Sequence, residues 1–327
     1  MTQGGRRRSV PVPELVERAR AGEARAVARL ISLVEDASPL LREVMAGLAP
    51  HTGHAQIVGI TGSPGVGKST STNAVVTALR AVDKRVGVLA VDPSSPFSGG
   101  ALLGDRVRMQ DHALDKDVYI RSMASRGHLG GLSWSTPQAL RVLDAAGCDV
   151  VIIETVGVGQ SEVEIAGLAD TTVVLLAPGM GDGIQAAKAG ILEIGDVYVI
   201  NKADRDGADQ VRRDLRNMLA LAERSADSWR PPIIQTVAQT GQGVDEVVAK
   251  IDEHRKWMES SGELTRRRVR RARDEIEAIA VTALREQWNR SHARAGSALL
   301  DELAGGVATG GSDPYTAADV LLESYID

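Results

Sequence analysis

The sequence predicts an α/β protein whose mostly parallel sheet is flanked by helices on both faces. Between residues 55 and 240, short apolar runs alternate with helical patterns, which is the order of elements in such folds. The runs are almost continuously apolar, as expected for strands buried on both faces of a parallel sheet. Helical patterns without strands occupy both ends of the chain, so helical extensions are predicted on each side of the sheet.

The apolar runs are the candidate strands of this sheet. They are 56–60, 86–91, 118–120, 150–153, 172–177, 197–200 and 233–237. In open parallel sheets, ligands bind where the carboxyl ends of strands meet the loops that follow. Functional residues are therefore expected at the ends of these runs.

The two ends of the chain have helical periodicity. Apolar residues recur at three-to-four spacing over 13–50, which predicts a helical hairpin after a leader, 1–12. A long helix is predicted over 264–290 and a short one over 316–326, after the glycine-rich break 305–314. The predicted parts are a helical extension (1–54), a central domain (55–258) and a carboxyl-terminal helical arm (259–327).

The composition restricts the classes of function. Of 327 residues, 43% are hydrophobic, which suffices for a sizeable core. Only 3% are aromatic, which argues against a site that binds single-stranded nucleic acid by stacking its bases on aromatic rings. A net charge of -5 argues against non-specific binding to DNA or anionic membranes. The single cysteine, Cys148, excludes an internal disulfide. Without a membrane-spanning apolar run or a secretory signal, a cytoplasmic location is expected.

A phosphate-binding loop follows the first predicted strand. Residues 62–69 are GSPGVGKS, which fits G-x-x-x-x-G-K-[ST], and they lie between a strand and a helix. Glycines allow backbone N–H groups to surround phosphate, and the helix adds its positive end, so this is a P-loop nucleoside triphosphatase motif. Lys68 is expected to reach the β- and γ-phosphates, and the Ser69 hydroxyl to bind Mg²⁺. The expected nucleotide contacts are Gly62, Ser63, Pro64, Gly65, Val66, Gly67, Lys68, Ser69 and Thr70.

A second motif predicts guanine as the base. The strand 197–200 leads into Asn-Lys-Ala-Asp, and Asp204 can accept two hydrogen bonds from guanine that adenine cannot offer. Lys202 is expected to lie along the ring face, and Asn201 to brace neighbouring loops. After the last strand, backbone N–H groups are expected to close over the guanine carbonyl. The residues there are Val237, Ala238 and Gln239; because many GTPases have Ser at the first of these positions, the assignment depends on the other two.

Three acids are candidates for the metal site and for orienting the attacking water. Asp92 ends the second strand and Asp105 closes the loop after it, although the first also suits a turn and the second a helix N-cap. Glu154 ends the fourth strand, which is expected beside the first, so that its carboxylate faces the Mg²⁺ end of the triphosphate. In the following segment, 155–160, Gly157 is the expected γ-phosphate sensor. A solvated strand end is the alternative interpretation.

Together these motifs resemble the MeaB/ArgK family over nearly the whole chain. The similar segments are 62–70, 91–109, 153–162, 178–196 and 201–204, with the helical lead-in and the carboxyl-terminal arm. The resemblance implies a GTPase of the signal-recognition-particle and MinD-like class, acting as a chaperone for adenosylcobalamin-dependent methylmalonyl-CoA mutase. It also implies active-site positions for Lys68, Asp92, Asp105 and Glu154.

The resemblance further implies two interaction elements. The loop 178–188 would be an additional switch that touches the mutase, and the arm would form a homodimer. Lys188 could stabilise charge at the phosphates when a partner binds, or it could be a solvated helix lysine. The arginine run 266–273 could suggest nucleic acid, but acids follow it directly and the chain is negative, so a solvated face of the arm is predicted.

The leading hypothesis is a Mg²⁺-dependent GTPase with slow intrinsic turnover that a partner accelerates. Neither nucleic acid nor membrane is an expected partner. One alternative, a metallochaperone GTPase for nickel enzymes, generally requires Cys and His ligands, and this chain has one cysteine and scattered histidines. Another, a kinase of a transport protein, requires a docking site for a protein hydroxyl, which the sequence does not identify.

Overall fold

The structure is a computed structural model of the chain. The residues that it describes are 10–93, 110–112, 114–125, 135–155, 161–179, 190–221, 225, 227–295 and 298–326. They divide into two compact units, with the boundary between Arg268 and Val269. The domain boundaries after residues 54 and 258 stay predictions.

Seven parallel strands form one sheet, in the order β3-β2-β4-β1-β5-β6-β7. The strands are β1 (Gln56–Gly62), β2 (Val86–Pro93), β3 (Val118–Ser125), β4 (Val150–Thr155), β5 (Thr171–Leu176), β6 (Val197–Ile200) and β7 (Ile233–Gln235). Each of the predicted apolar runs is a strand, and the predicted α/β class is confirmed. The expectation that the Glu154 strand lies beside the first is also confirmed, because Ile60 pairs with Glu154.

Helices flank the sheet and continue beyond it at both ends of the chain. In the described residues they are α1 (Val12–Arg20), α2 (Ala24–Glu35), α3 (Leu41–Leu48), α4 (Lys68–Ala81), α5 (Thr136–Ala145), α6 (Ser161–Leu168), α7 (Ala208–Ala220), α8 (Val244–Ser261), α9 (Glu263–Ala295), α10 (Ala298–Ala308) and α11 (Pro314–Ile326). No helix in this described part of the chain is both long and apolar enough to cross a membrane.

The core has a layer on each face of the sheet. Alternate residues of β1 point to opposite faces, so Ile57 packs with one cluster while Val58 and Ile60 pack with the other. The first cluster contains the amino-terminal helices with α5 and α6, and the second contains α4 and α8. The sheet is therefore covered on both faces, and its edge at the carboxyl ends of the strands is where loops can form a site.

The amino-terminal region contains three helices rather than the predicted hairpin. The chain turns at Gly22, whose φ of 84° is in the left-handed region that favours glycine, and again between Asp36 and Leu40. Leu30 and Leu48 are completely buried, so this region shares the core of the sheet. Helical periodicity identified the helices, but it did not distinguish two helices from three.

The carboxyl-terminal unit differs from the prediction in the position of its break. α10 continues through Gly305 and Gly306 to Ala308, and the chain leaves helical structure only between Thr309 and Asp313. Two glycines cost about 1 kcal/mol each relative to alanine within a helix, and packing of α10 on α11 can outweigh this cost. The predicted last helix is confirmed, two residues longer at its start.

Candidate functional site

The phosphate-binding loop joins β1 to α4, as its motif requires. Gly62, Gly65 and Gly67 have φ angles of 145°, 80° and 95°, which side chains rarely adopt. A Cβ at Gly62 would overlap the carbonyl oxygen of Leu175, and a Cβ at Gly67 would lie 2.5 Å from Nδ2 of Asn201. All three glycines therefore suit the backbone conformation, and Gly62 and Gly67 are also needed for close packing against β5 and the segment after β6.

Lys68 is the first residue of α4 and is buried. Its Nζ donates to the carbonyl oxygen of Gly62 at 2.5 Å and to that of Ser63 at 3.2 Å. The ammonium group is thus held inside the curve of the phosphate loop. A phosphate group placed in this curve would offer the same ammonium stronger, charged acceptors.

Ser69 and Glu154 meet at the carboxyl ends of the strands. The Ser69 hydroxyl donates to Oε1 of Glu154 at 2.6 Å, and Glu154 is only 2% exposed. One turn after Ser69, the fully buried Thr72 hydroxyl has no hydrogen-bond partner within the described residues. A serine hydroxyl beside a buried carboxylate provides oxygen ligands of the type that Mg²⁺ prefers.

Asn201 connects three segments of the site. Its Nδ2 donates to the carbonyl oxygen of Val66 at 2.9 Å, which links the segment after β6 to the phosphate loop. Its Oδ1 accepts hydrogen bonds from the Thr236 hydroxyl at 3.3 Å and from the Ala238 N–H at 3.1 Å. The adjacent Lys202 has a φ of 58°, and its Nζ donates to the carbonyl oxygen of Gly65 at 2.6 Å. The Asn-Lys-Ala-Asp segment is thereby attached directly to the phosphate loop.

The loop after β7 completes this end of the site. The N–H of Val237 donates to the carbonyl oxygen of Gln242 at 3.0 Å, and Ala238 donates to Asn201. Gln239 and Asp204 are exposed, so both can meet a ligand from solvent. Thr236, which the motif analysis missed, is buried, and its carbonyl oxygen accepts the Ala203 N–H at 3.0 Å. Its position at the end of the last strand was the available signal.

Several predicted residues cannot be located in the site. The backbone of Asp92 pairs with Ala124 at the end of β2, but its side chain lies outside the described residues. Asp105, Gly157 and residues 180–188 of the predicted switch, which include Lys188, also lie outside the described residues. The structure therefore brings together Lys68, Ser69, Glu154 and the 201–204 segment from the predicted set, and leaves the other roles as predictions.

A separate cleft of about 1030 Å³ lies at the opposite edge of the sheet, between α4 and α8. It is lined by residues at the beginnings of strands, such as Gln56 and Val150. The predicted nucleotide contacts that the structure describes do not line it. The convergence of motif residues, and not cleft volume, therefore defines the candidate site.

Comparison with known proteins identifies the family. The sequence profile described as "Methylmalonyl Co-A mutase-associated GTPase MeaB" matches residues 27–293. The chain belongs to the MeaB family. A relative from Pyrococcus horikoshii that is named as a GTPase is 47% identical over 318 residues, covering 97% of this chain and 99% of the relative. Membership of the MeaB family and the names of its relatives make this chain a GTPase.

Two other relatives of this MeaB family member bear different names. The "Methylmalonic aciduria type A homolog, mitochondrial" of Mus musculus is 37% identical over 272 residues, covering 82% of this chain and 65% of the relative. A crystal structure named "LAO/AO transport system kinase" has a TM-score of 0.71 and 28% identity, covering 98% of this chain and 100% of that chain. The predicted resemblance and the P-loop fold are confirmed by these similarities.

Proposed function

We propose that this GTPase binds GTP along the edge formed by the phosphate loop, Glu154 and the 201–204 segment, and that it assists a cobalamin-dependent mutase. The observation that carries the proposal is the hydrogen bond between Ser69 and Glu154 at the phosphate loop, in which a hydroxyl lies beside a buried carboxylate. Oxygen groups of these two types are ligands that Mg²⁺ accepts. Phosphoryl transfer to water depends mostly on positioning and charge neutralisation. This arrangement supplies the groups for both.

The phosphate end of the nucleotide would be held by the loop 62–70. Backbone N–H groups of this loop bind the phosphate oxygens, and Lys68 exchanges its carbonyl acceptors for the β- and γ-phosphates. Because the ammonium is already buried beside the loop, little rearrangement is needed on binding. Gly157 would report the γ-phosphate through its N–H, as the sequence predicts.

The residues present suit Mg²⁺. Ser69 and Glu154 would hold it, directly or through water, with Asp92 and Asp105 as the other predicted acids. When bound, Mg²⁺ neutralises charge that develops on the phosphate oxygens. Glu154 keeps the Ser69 hydroxyl oriented, and one of the acids would orient the attacking water.

The guanine base would lie against the 201–204 segment. Asp204 is exposed and can accept from guanine N1–H and the exocyclic amine, while Lys202 lies beside the phosphate loop with its stem available to the ring face. Asn201 fixes this segment relative to the phosphate loop. Ala238 and Gln239 would approach the guanine carbonyl. Base recognition and phosphate binding would therefore share one rigid connection.

Calorimetry with Asp204→Asn tests this site. The wild type is expected to bind GTP and GDP at least about 100-fold more tightly than ATP, because adenine lacks the two donors that guanine offers to Asp204. Each hydrogen bond lost in this way costs about 1–3 kcal/mol. Asparagine offers an N–H in place of an acceptor, so the variant should weaken for GTP and gain affinity for xanthosine triphosphate, whose C2 carries a carbonyl. Asp206→Asn, at an exposed acid two residues away, is the matched control. Equal affinity of the wild type for GTP and ATP would exclude the proposed base site.

The client proposal is supported by names of relatives. The family profile is described as methylmalonyl-CoA mutase-associated, and a relative is a methylmalonic aciduria type A homolog. We take an adenosylcobalamin-dependent mutase as the partner, with GTP hydrolysis driving its assembly, protection or cofactor loading. Adding the purified mutase of the same organism should accelerate GTP turnover at least about tenfold, which corresponds to about 1.4 kcal/mol. Unchanged turnover and no complex in gel filtration would exclude the mutase as the partner, but they would not affect the proposed GTP site.

The kinase alternative has a distinct product. If GTP labelled at the γ-phosphate gave a labelled acceptor protein instead of free phosphate, this chain would be a kinase, as the name of the similar crystal structure says of that protein. Release of free phosphate is the expected result, because the family and its relatives are named as GTPases, which transfer the γ-phosphate to water.

The homodimer proposal is supported by exposed apolar side chains along α9. Val269, Ile276 and Leu284 are 61%, 68% and 62% exposed and recur at helical spacing. A second copy of the chain covering this stripe would remove these side chains from water. Light scattering should show a dimer for the wild type and a monomer for Ile276→Asp with Leu284→Asp. Arg285→Asp, at an exposed polar position on the same helix, should remain dimeric.

A further inference from the structure

An aspartate directly precedes each of three strands, β4, β5 and β6, and ties the start of that strand to the start of a neighbouring strand. The carboxylates accept backbone N–H groups from the start of an adjacent strand or from the residue before it. The pairs are Asp149 with Arg85 at 2.8 Å, Asp170 with Ile57 at 3.0 Å and Asp196 with Thr172 at 2.8 Å. Asp149 also pairs with Lys84 at a half-exposed position, whereas the other two carboxylates are nearly or completely buried.

Arg267 binds two of these strand starts. Its guanidinium donates to both carboxylate oxygens of Asp196, at 2.9 Å and 3.0 Å, and to the carbonyl oxygen of Asp170 at 3.0 Å. A planar guanidinium that binds both oxygens of one carboxylate fixes orientation as well as distance. The beginnings of β5 and β6 are therefore attached to the second turn of α9.

Arg268 binds the start of a further strand, β1. It donates to the Asp170 carboxylate at 2.8 Å and to the carbonyl oxygen of Ala55, directly before β1, also at 2.8 Å. A further bond reaches the carbonyl oxygen of Gly53. With Arg267 it forms what we term the arginine fork, residues 267 and 268, which connects α9 to the starts of β1, β5 and β6.

The arginine fork differs from the rest of its arginine run. The side chains of Arg267 and Arg268 are 27% and 22% exposed, while that of Arg266 is 61% exposed. Arg266 bonds to Glu263 and to the carbonyl oxygen of Ser261, both within its own helical region. The predicted solvated face therefore fits Arg266 but not the arginine fork.

The strands held by the arginine fork carry the candidate site at their other ends. β1 leads to Gly62 and the phosphate loop, and β6 leads to Asn201. A strand rises about 3.3 Å per residue, so seven residues of β1 span roughly 20 Å between the arginine fork and the phosphate loop. Hydrogen-bonded strands transmit displacement along their length with little compression.

The geometry points to the arginine fork as a joint that couples the nucleotide state of the site to the position of the first turns of α9. The inference depends on the nucleotide site proposed above. A nucleotide that changes the relative positions of β1 and β6 changes the spacing between the Ala55 carbonyl oxygen, which binds Arg268, and the Asp196 carboxylate, which binds Arg267. By thermodynamic reciprocity, breaking the joint must change the relative affinities for GTP and GDP.

Hydrogen exchange of the wild-type chain is the first test. With GDP and with a non-hydrolysable GTP analogue at saturation, amides of 264–272 are expected to exchange at rates that differ by about threefold or more. An anchor that only stabilises the fold would show the same exchange in both states. Identical exchange in a protein that binds both nucleotides would overturn the joint and leave the GTPase site intact.

The second test breaks the arginine fork. Arg267→Met with Arg268→Met should change the ratio of affinities for the GTP analogue and GDP by about fivefold or more, the lower range of allosteric coupling. Arg266→Met is the matched control and should leave this ratio within about twofold. If the double variant does not fold, the exchange experiment on the wild type still decides. If the wild type binds neither nucleotide, the proposed site itself is wrong, which is a separate outcome.

Discussion

The hydroxyl of Ser69 donates a 2.6 Å hydrogen bond to the carboxylate of Glu154, a residue 85 positions further along the chain. The contact exists because β4 lies directly beside β1, with Glu154 paired to Ile60 just before the phosphate loop. The Ser69 hydroxyl and the Glu154 carboxylate, both proposed to hold Mg²⁺, are therefore brought together by strand order. The first prediction concerns this pair.

Glu154→Gln should separate nucleotide binding from hydrolysis. Glutamine keeps an oxygen that can accept from Ser69, but it removes the negative charge expected to act in the metal network. GTP turnover should fall about 10- to 100-fold, as for groups that support a metal site, while GDP affinity stays within about threefold. Phosphate release and calorimetry measure the two quantities. The control is Glu246→Gln, at an exposed acid in α8, which should leave both quantities unchanged. If turnover of Glu154→Gln stayed within twofold of the wild type, Glu154 would have no role in hydrolysis.

Gly62→Ala should cost more stability than Gly53→Ala. Both positions have φ above 100°, at 145° and 104°. At Gly53 a Cβ would have no atom within 4 Å, so the only cost is that of holding alanine at a positive φ, about 1–2 kcal/mol. At Gly62 the Cβ would also overlap the carbonyl oxygen of Leu175 in β5, which should bring the total to about 3 kcal/mol or more.

Urea unfolding at neutral pH measures both free energies, and GTP binding is followed in parallel. Gly53→Ala should bind GTP normally because it lies before β1, away from the phosphate loop. Equal losses of stability in the two variants would mean that the close approach to Leu175 is relieved at no cost.

Asn201→Ala should weaken both the fold and nucleotide binding. The change deletes the bond to Val66 and leaves the Ala238 N–H without its acceptor in a buried site. An unsatisfied buried group costs about 1–3 kcal/mol, and release of the base-binding segment should lower GTP affinity at least about tenfold. Asn73→Ala is the control, because Asn73 forms an exposed bond to Asp111 at 3.3 Å. It should change the free energy of unfolding by no more than about 0.5 kcal/mol.

The strands were predictable because burial on both faces requires continuous apolar runs, as in 150–153 and 197–200. The phosphate loop was predictable because its backbone conformation requires glycine at fixed positions. Such a requirement within one short segment is visible as a sequence motif. The adjacency of Glu154 to the first strand followed from the usual topology of such sheets. These features depend on short segments and on general rules of strand arrangement.

The arginine fork was not predictable in the same way. Arg267 and Arg268 bind carboxylates 71 and 98 positions away, and nothing within the arginine run distinguishes them from exposed Arg266. A weaker signal was present: an aspartate directly precedes the predicted runs that begin at 150 and 197, and another lies two positions before the run that begins at 172. An aspartate that recurs before buried strands indicates a carboxylate that accepts hydrogen bonds from neighbouring backbone N–H groups and pairs with a buried cation. The partners themselves come from tertiary packing.

His254 should make the stability of the fold depend on pH below neutrality. Its ring is buried between Trp229 and Trp257, and its Nδ1 forms a 2.9 Å hydrogen bond with the Thr171 hydroxyl. Burial lowers its pKa to about 4, although the Asp196 carboxylate, 3.4 Å from Nε2, acts in the opposite direction. Burial dominates because the charged ring would lose its hydration, and Arg267 adds repulsion.

The sign follows from proton uptake. Between an unfolded pKa of about 6.5 and a folded pKa of about 4, the unfolded chain binds more protons, so stability falls as pH decreases through this window. The full shift corresponds to about 3 kcal/mol, of which about 2 kcal/mol should be lost between pH 7 and pH 5. Urea unfolding at both pH values should show this loss in the wild type. In His254→Asn, which cannot titrate, the loss between the two pH values should be smaller by about 2 kcal/mol. The same pH dependence in both proteins would mean that the pKa of His254 does not change on folding, and a smaller loss in the wild type than in His254→Asn would mean that Asp196 holds the ring protonated in the fold.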